Sequence, residues 1–454
     1  MAIEYDLIVI GNTSAGIHAA ISAARLKARV ALVEQDISEQ KSISCYREVS
    51  QISQYLNRAN QLGFYEPVNL KTLQWSRVKK WAGAIASNLQ ELNSPAVLSS
   101  LGIEFIAASG EFVRKPQPGF LVNGRLLRSR SYLITTHQTF SLPNIEGLNS
   151  VSYLTPDTAF QSLPSALVII GNDEIAVELA QIFTRLGSQV TLIVPDFLPK
   201  VDREAAFLIQ SQLEAEGVQV LSGMPVTQVK QIQSKKWVQV GNQAIEANEI
   251  LLATEAQPNL ERLNLEAMDI RSPVQINTKL QATNPKIYLS NTPYEAEIAV
   301  KNALFFPCFK VNNRLTLKLI FSSPELAWIG LTEAQATQKY GKDIFILKQY
   351  FKTLEKAQIQ SELTGFCKVI VRQNGTVLGA HIVGAQASEL ITTMALAMQK
   401  KMKISAIGSL PFSEHNQLEI LRNIASDFQH QKLKHNRRLQ NLLEKFFKWQ
   451  RNRK

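Results

Sequence analysis

Short apolar runs that end in a glycine and hand over to a helix of small residues occur twice in this chain. The first is Leu7-Ile8-Val9-Ile10 running into Gly11, followed by the helical pattern Ala19-Ala20-Ile21-Ser22-Ala23-Ala24-Arg25 and the apolar run Val30-Ala31-Leu32-Val33. The second is Leu167-Val168-Ile169-Ile170 into Gly171, then Val177-Glu178-Leu179-Ala180, then Val190-Thr191-Leu192-Ile193-Val194. Uninterrupted apolar strands mark parallel sheets covered on both faces, and strand, helix and strand in succession predict two βαβ units. Amphipathic patterns between Tyr65 and Leu101 predict helices covering the first unit. The stretch from 314 to 400 predicts short strands and one helix.

A glycine at a strand-to-helix turn is what a dinucleotide site requires, because it brings the backbone and the helix N-terminus close to a pyrophosphate. Both turns are altered: Thr13 and Asp173 stand where the second glycine of Gly-x-Gly-x-x-Gly would be. The first turn keeps Gly11 and Gly16 around Thr13, Ser14 and Ala15, and Glu34 follows the next strand where such a unit places its ribose acceptor. The second keeps Gly171 and Ala176, but the acid's position holds Val194. The first unit is therefore expected to bind a nucleotide. For the second, a nucleotide site and plain helix–strand packing both stay open.

A chain of 454 residues fits two or three domains, and 45% hydrophobic with 19% charged residues describes an ordinary globular protein. No apolar run is long enough to span a bilayer and no basic segment precedes an apolar one at the N-terminus, so a cytoplasmic protein is expected. Three distant cysteines exclude a disulfide framework, and six histidines show no ligand spacing with them, so no metal site is expected. The net charge of +11 is mostly local: residues 431–454 hold nine Lys or Arg against Glu444, which leaves +3 for the preceding 430 residues. In that tail Leu439, Leu442, Leu443, Phe446 and Phe447 form a helical apolar stripe. It can dock on the protein's own dimer surface, or attach the protein peripherally to an anionic membrane. Nucleic acid is not expected, since the body carries no matching basic surface.

The segments between the units carry a resemblance. Tyr132-Leu-Ile-Thr-Thr-His-Gln138 and Ile250-Leu-Leu-Ala-Thr-Glu-Ala-Gln-Pro-Asn259 look like degenerate Ala-Thr-Gly strand ends, and Pro285-Lys-Ile-Tyr-Leu-Ser-Asn-Thr292 like a second flavin-binding strand. Phe321 to Glu333, Gly365-Phe-Cys-Lys368, Leu378 to Gly384 and Ala387-Ser-Glu-Leu390 look like a dimerisation domain. In this order, from residue 4 to about 425, the chain resembles the class I pyridine nucleotide-disulfide oxidoreductases, the group of dihydrolipoamide dehydrogenase, glutathione reductase and mercuric reductase. The resemblance implies an α/β fold of two Rossmann-like dinucleotide-binding domains plus an α+β dimerisation domain, binding FAD and NAD(P)H as a homodimer. FAD would be held by residues 1–148 and 266–304, NAD(P) by 149–265, the dimer contact by 305–428, and 429–454 would be the basic tail.

Members of that group pass electrons from flavin to a Cys-x4-Cys disulfide. Here Gln40 occupies the first cysteine's place and Cys45 the second's, and the lysine four residues on is Val49, while its usual glutamate partner is implied to be Glu178. The family's His, five residues before a Glu, falls on Ser409, with Glu414 kept and His415 out of register as a surface residue. The acid aimed at the flavin's ribityl chain falls on Thr292, and the preceding glycine on Asn291. The candidate catalytic residues are thus Cys45, Glu178 and Glu414. Cys45 reads either as a small apolar filler or as a single redox thiol whose pKa a helix N-terminus and Arg47 would lower. Three functions follow: NAD(P)H oxidation with a non-disulfide acceptor, a catalytically degenerate flavin-binding or regulatory dimer, and a true disulfide or mercuric reductase. Gln40, Val49 and Ser409 contradict the third.

Overall fold

A computed structural model describes residues 3–35, 43–61, 73–115, 117–172 and 174–453. Gln40 and Asp173, both singled out above, lie outside the described residues. In chain order the first elements are β1 (Tyr5–Ile10), α1 (Ser14–Arg25), β2 (Val30–Val33), α2 (Ile43–Gln61), α3 (Trp75–Glu91), β3 (Ile103–Ile106) and β4 (Ser129–Ile134). Then come β5 (Ala166–Ile170), α4 (Glu174–Arg185), β6 (Gln189–Val194), α5 (Arg203–Ala215), β7 (Gln219–Ser222), β8 (Glu249–Leu252), β9 (Ile287–Leu289) and α6 (Pro293–Leu304). The C-terminal third has β10 (Lys318–Ile320), β11 (Glu325–Gly330), β12 (Ile344–Tyr350), β13 (Phe366–Arg372), β14 (Val377–Gly384), α7 (Ala387–Gln399), α8 (Glu419–His435) and α9 (Arg437–Arg451).

The chain divides into two compact units. One comprises Met1–Asn144, Tyr153–Leu163 and Leu251–Asn312. Its sheet has the order β9-β4-β1-β2-β3, every neighbouring pair parallel. Successive side chains of a strand point to opposite faces, so β1 feeds two cores. Leu7 and Val9 pack with Ala15, Ala19, Ala20 and Ala23 of α1, whose missing bulk lets the helix sit close to the sheet. Ile8 and Ile10 pack with Phe112, Phe120 and Tyr132 on the other side. The return segment begins at Leu251 rather than at 266, and runs past 304. Ala256–Pro258 pairs antiparallel with Gln138–Phe140, and Leu263, Leu265, Met268 and Ile270 are buried against Phe112 and Phe120, which ties these residues to this unit.

The other unit comprises Ile145–Ser152, Pro164–Ile250 and Asn313–Lys454. It holds most of the expected nucleotide-binding region 149–265 and dimerisation region 305–428, while 153–163, 251–265 and 305–312 belong to the first unit. Its first sheet has the order β7-β6-β5-β8, and its second is the antiparallel β10-β11-β14-β13-β12. The 314–400 region holds three helices where one was expected, adding Glu333–Tyr340 and the short Glu355–Ile359 to α7. The overlooked signal is local: Thr332 and Gln335 form a reciprocal capping box that starts a helix. α8 also continues through residues 429–435, beyond the expected tail boundary at 428, because Phe428 is buried in the core mid-helix. The break comes at Asn436, whose side chain accepts from the Leu439 amide and starts α9. Between Tyr65 and Leu101 the described helices are α3 and Pro95–Ser100, and α3 leaves Trp81 and Leu89 exposed. Among the described residues no helix is long and apolar enough to cross a membrane.

Candidate functional site

The turn after β1 explains how the altered glycine pattern still builds a helix N-terminus. Thr13 is the N-cap of α1, and its hydroxyl accepts from the Gly16 amide at 3.2 Å. Gly11 has φ +114°, and a Cβ there would drive into the Thr135 carbonyl. A Cβ on Gly16 would meet the Gly11 carbonyl and Thr135 Oγ1. Thr135 closes the turn, its hydroxyl donating to the Gly11 carbonyl at 2.9 Å. Thr13→Ala should cost about 1 kcal/mol through loss of the cap, and Thr13→Gly only a few tenths. Urea denaturation of the two variants checks this ordering, and equal losses would mean the cap is not what Thr13 contributes.

Three side-chain oxygens around this turn are buried yet unsatisfied. Asn12 Oδ1, Thr136 Oγ1 and Ser290 Oγ have no hydrogen-bond partner in the chain. They follow β1, β4 and β9, which are neighbours, so all three stand at one carboxyl edge, where α/β sheets bind ligands. A buried polar atom left unpaired costs about 1–3 kcal/mol, so the edge is made for a polar guest. Glu34, at the end of β2, accepts from Asn12 Nδ2 at 3.2 Å and so faces the same turn. Ser14 and Ala15 open α1 behind it. These residues fit the phosphate and ribose portion of FAD. Sequence reasoning did not single out Asn12, Thr136 and Ser290, although Thr136 and Ser290 lie in the stretches 132–138 and 285–292 and Asn12 in the first glycine turn.

Thr292 stands at the N-cap of α6 and accepts from the Glu295 amide at 3.2 Å, while Glu295 accepts from the Asn291 amide at 3.0 Å. Its measurable task in the chain is this cap, with the hydroxyl proton left for a ligand.

The second turn differs. Gly171 and Ala176 are buried, and Val194 closes β6 in the core, with no carboxylate at the ribose position. Glu174 occupies the first turn of α4 and lies 3.5 Å from Lys318. A carboxylate at a helix N-terminus competes with a pyrophosphate for the same positive end of the dipole.

Glu178 belongs to a polar stripe along α4. With Glu174, Gln181 and Arg185 it faces the segment from Lys318 to Ser323: Glu178 accepts from the Phe321 amide at 2.8 Å, and Gln181 exchanges bonds with both the amide and the carbonyl of Ser323. Helical spacing aligns these residues, so Glu178 ties two parts of one unit together.

Cys45 is the third residue of α2 and is buried. Tyr46 beside it stacks on Phe160, with ring centroids 3.8 Å apart, and Trp75 leans on both. Burial, and then the neighbouring Cys45, push the Tyr46 phenol above its ordinary range. All three cysteines are free thiols. Cys308 is exposed, and Cys367 lies deep in β13, where burial pushes its thiol far up. Ser409 spends its hydroxyl on the Ala406 carbonyl at 2.8 Å. Glu414 is exposed, and His415 lies on the surface 3.4 Å from Glu355.

The geometry agrees with comparison to known proteins. A family model described as "Pyridine nucleotide-disulphide oxidoreductase" matches residues 5–290, and that of its dimerisation domain matches residues 316–413. The latter supports assembly as a homodimer. A mercuric reductase from Staphylococcus aureus is 29% identical over 425 residues, spanning 87% of this chain and 77% of that protein. A dihydrolipoyl dehydrogenase from Thermus scotoductus is 29% identical over 449 residues, spanning 89% and 93%. In fold, the HOCl-induced flavoprotein disulfide reductase RclA from Escherichia coli is similar with a TM-score of 0.79 at 21% identity, over 93% of this chain and 99% of that one. The chain belongs to the pyridine nucleotide-disulphide oxidoreductase family, whose members are FAD-dependent flavoproteins using NAD(P)H.

Proposed function

We propose that this protein is an FAD-dependent NAD(P)H oxidoreductase that delivers electrons to an acceptor without a cysteine-pair relay. The reading is supported by the close-packed turn at Gly11 and Gly16 with Glu34 beside it, which fits FAD, together with a lone thiol at Cys45, where the sequence has Gln40 in the first cysteine's place. When bound, FAD supplies acceptance of a hydride and its release as electrons. The chain's part would be to orient it: the α1 N-terminus would face the pyrophosphate, Glu34 would accept from the ribose hydroxyls, and Asn12, Thr136 and Ser290 would take up remaining polar atoms. A disulfide exchange cycle needs an attacking thiol and a leaving one, and a proton shuttle needs a group that titrates near neutrality. Gln40 and Ser409 supply neither.

A second reading, a flavin-binding dimer without turnover, is favoured by one feature. Glu174 in the first turn of α4, with Asp173 preceding it in sequence, opposes a pyrophosphate at the nicotinamide site.

Anaerobic titration separates the two. Under the first reading the purified protein is yellow, NAD(P)H bleaches it, and an artificial acceptor such as ferricyanide sustains turnover. Lipoamide, glutathione and mercuric ion then give background rates, and Cys45→Ser keeps the artificial-acceptor activity within about twofold. A yellow protein that NAD(P)H cannot bleach establishes the second reading. Lipoamide turnover that disappears in Cys45→Ser overturns both.

A further inference from the structure

We infer that α9 is a docking element for an anionic phospholipid surface. At about 100° per residue, Leu439, Leu442, Leu443, Phe446, Phe447 and Trp449 fall within an arc of about 160°. The opposite arc carries Arg437, Arg438, Lys445, Lys448 and Arg451, with Glu444 as its sole acid. No residue of α9 is buried, and Leu442, Phe446, Phe447 and Trp449 expose 62%, 48%, 50% and 52% of their surface. Side chains of this size gain most from burial, yet here they cover one another: Phe446 touches Phe447 and Trp449, with centroids 5.6 and 6.1 Å apart.

Three observations point to lipid as the occupant. Unlike α8, which sends Phe428 into the core, the helix buries none of its residues, and the Asn436 cap separates its body from α8, so the core does not require it. Its cations flank the apolar arc along its whole length, and Arg453 lies over the Trp449 ring at 4.4 Å, which sets an aromatic body and a positive head side by side at one edge. An acyl boundary below and phosphate headgroups beside it satisfy both arcs at once, and at 15 residues the helix is suited to lie in the interface plane. A second copy of the chain would bring the same cations against its own.

The test is co-sedimentation of the full chain with vesicles of phosphatidylglycerol and phosphatidylcholine mixed, against phosphatidylcholine alone. The mixed vesicles should bind at least about tenfold more tightly at low salt and release the protein near 1 M salt, where the screening length falls to about 3 Å. Leu442→Glu/Phe446→Glu, which changes exposed positions only, should abolish sedimentation while leaving the melting curve, the oligomeric state and the flavin content unchanged. Ending the chain at Asn436, after α8 is complete, should act the same way. Equal binding to both vesicle types overturns the inference. So does a change of oligomeric state in the Leu442→Glu/Phe446→Glu variant, which would make the face a contact between copies. Binding to duplex DNA that persists in that variant likewise overturns it, since the cations would then act without the apolar arc.

Discussion

Gly11→Ala should emerge from purification without flavin and with its fold weakened by about 3 kcal/mol or more. Two costs combine. An alanine held at φ +114° is strained whatever surrounds it, and its Cβ would also meet the Thr135 carbonyl. That carbonyl cannot yield cheaply, since the Thr135 amide donates to the Ile10 carbonyl at 2.8 Å and its hydroxyl to the Gly11 carbonyl, joining β4 to the turn. Flavin absorbance and urea denaturation measure the two losses separately. Glu34→Gln is the control: it should weaken FAD by about tenfold, the scale of one charged hydrogen bond, with no change in denaturation midpoint. If Gly11→Ala stays yellow and unfolds with the wild type, the cradle has been placed wrongly.

The second large effect lies far from any cofactor. Lys368 on β13 is 3% exposed, and its ammonium meets Asp202 at 2.9 Å, Glu204 at 2.5 Å and Glu333 at 3.0 Å. Asp202 is itself 5% exposed and caps α5, so its charge has little water to fall back on. Lys368→Met should therefore destabilise by about 3–5 kcal/mol, the cost of a buried charge that has lost its partner. Lys348→Met, which removes the other ammonium on Glu204 at the more open rim, should cost about 1 kcal/mol or less. Equal losses in the two variants would show that the cluster behaves as a surface network.

The same cluster sets the pH response. Burial works to raise the Glu204 carboxyl, but hydrogen bonds from Lys348 and Lys368 outweigh it and hold it below its ordinary 4.5. Its contribution is complete above that value and is lost as pH falls through the depressed one. Burial disfavours the Lys368 ammonium, yet hydrogen bonds to Glu204, Asp202 and Glu333 lift it above its ordinary 10.5. That contribution is complete below 10.5 and is lost as pH rises beyond it. His381, opposite Lys368 in the sheet, is held neutral by burial below its ordinary 6.5, so it withdraws stability as pH falls under that value. Thermal melts should be flat between about pH 7 and 10 and should fall on the acid side first. In Lys368→Met the alkaline fall should be shallower, the remainder coming from Lys348 and from the buried phenols of Tyr46, Tyr132 and Tyr288, which are also held above their ordinary range.

The elements built from neighbours in the chain were legible. β1, α1 and β2 announce themselves because their apolar spacing and Gly11 are consecutive, and the same holds for β5, α4 and β6. α9 was readable to within a few residues from its stripe alone. The capping box at Thr332 is equally local, so the helix it starts was legible from Thr332 and Gln335 alone.

What sequence by itself determined is therefore the periodic and the conformational: which stretches are strands or helices, which turn demands a glycine, and that residues 431–454 hold most of the net charge. Tertiary structure alone decided the partnerships. Nothing local says that Asn12, Thr136 and Ser290 share an edge, because adjacency of β1, β4 and β9 is set by sheet order across the chain. Likewise Lys368 meets Asp202 from 166 residues away, and Glu178 finds the Phe321 amide 143 residues on. A backbone dihedral is a property of one residue and its neighbours, whereas burial and ion pairing exist only once distant strands have closed on each other.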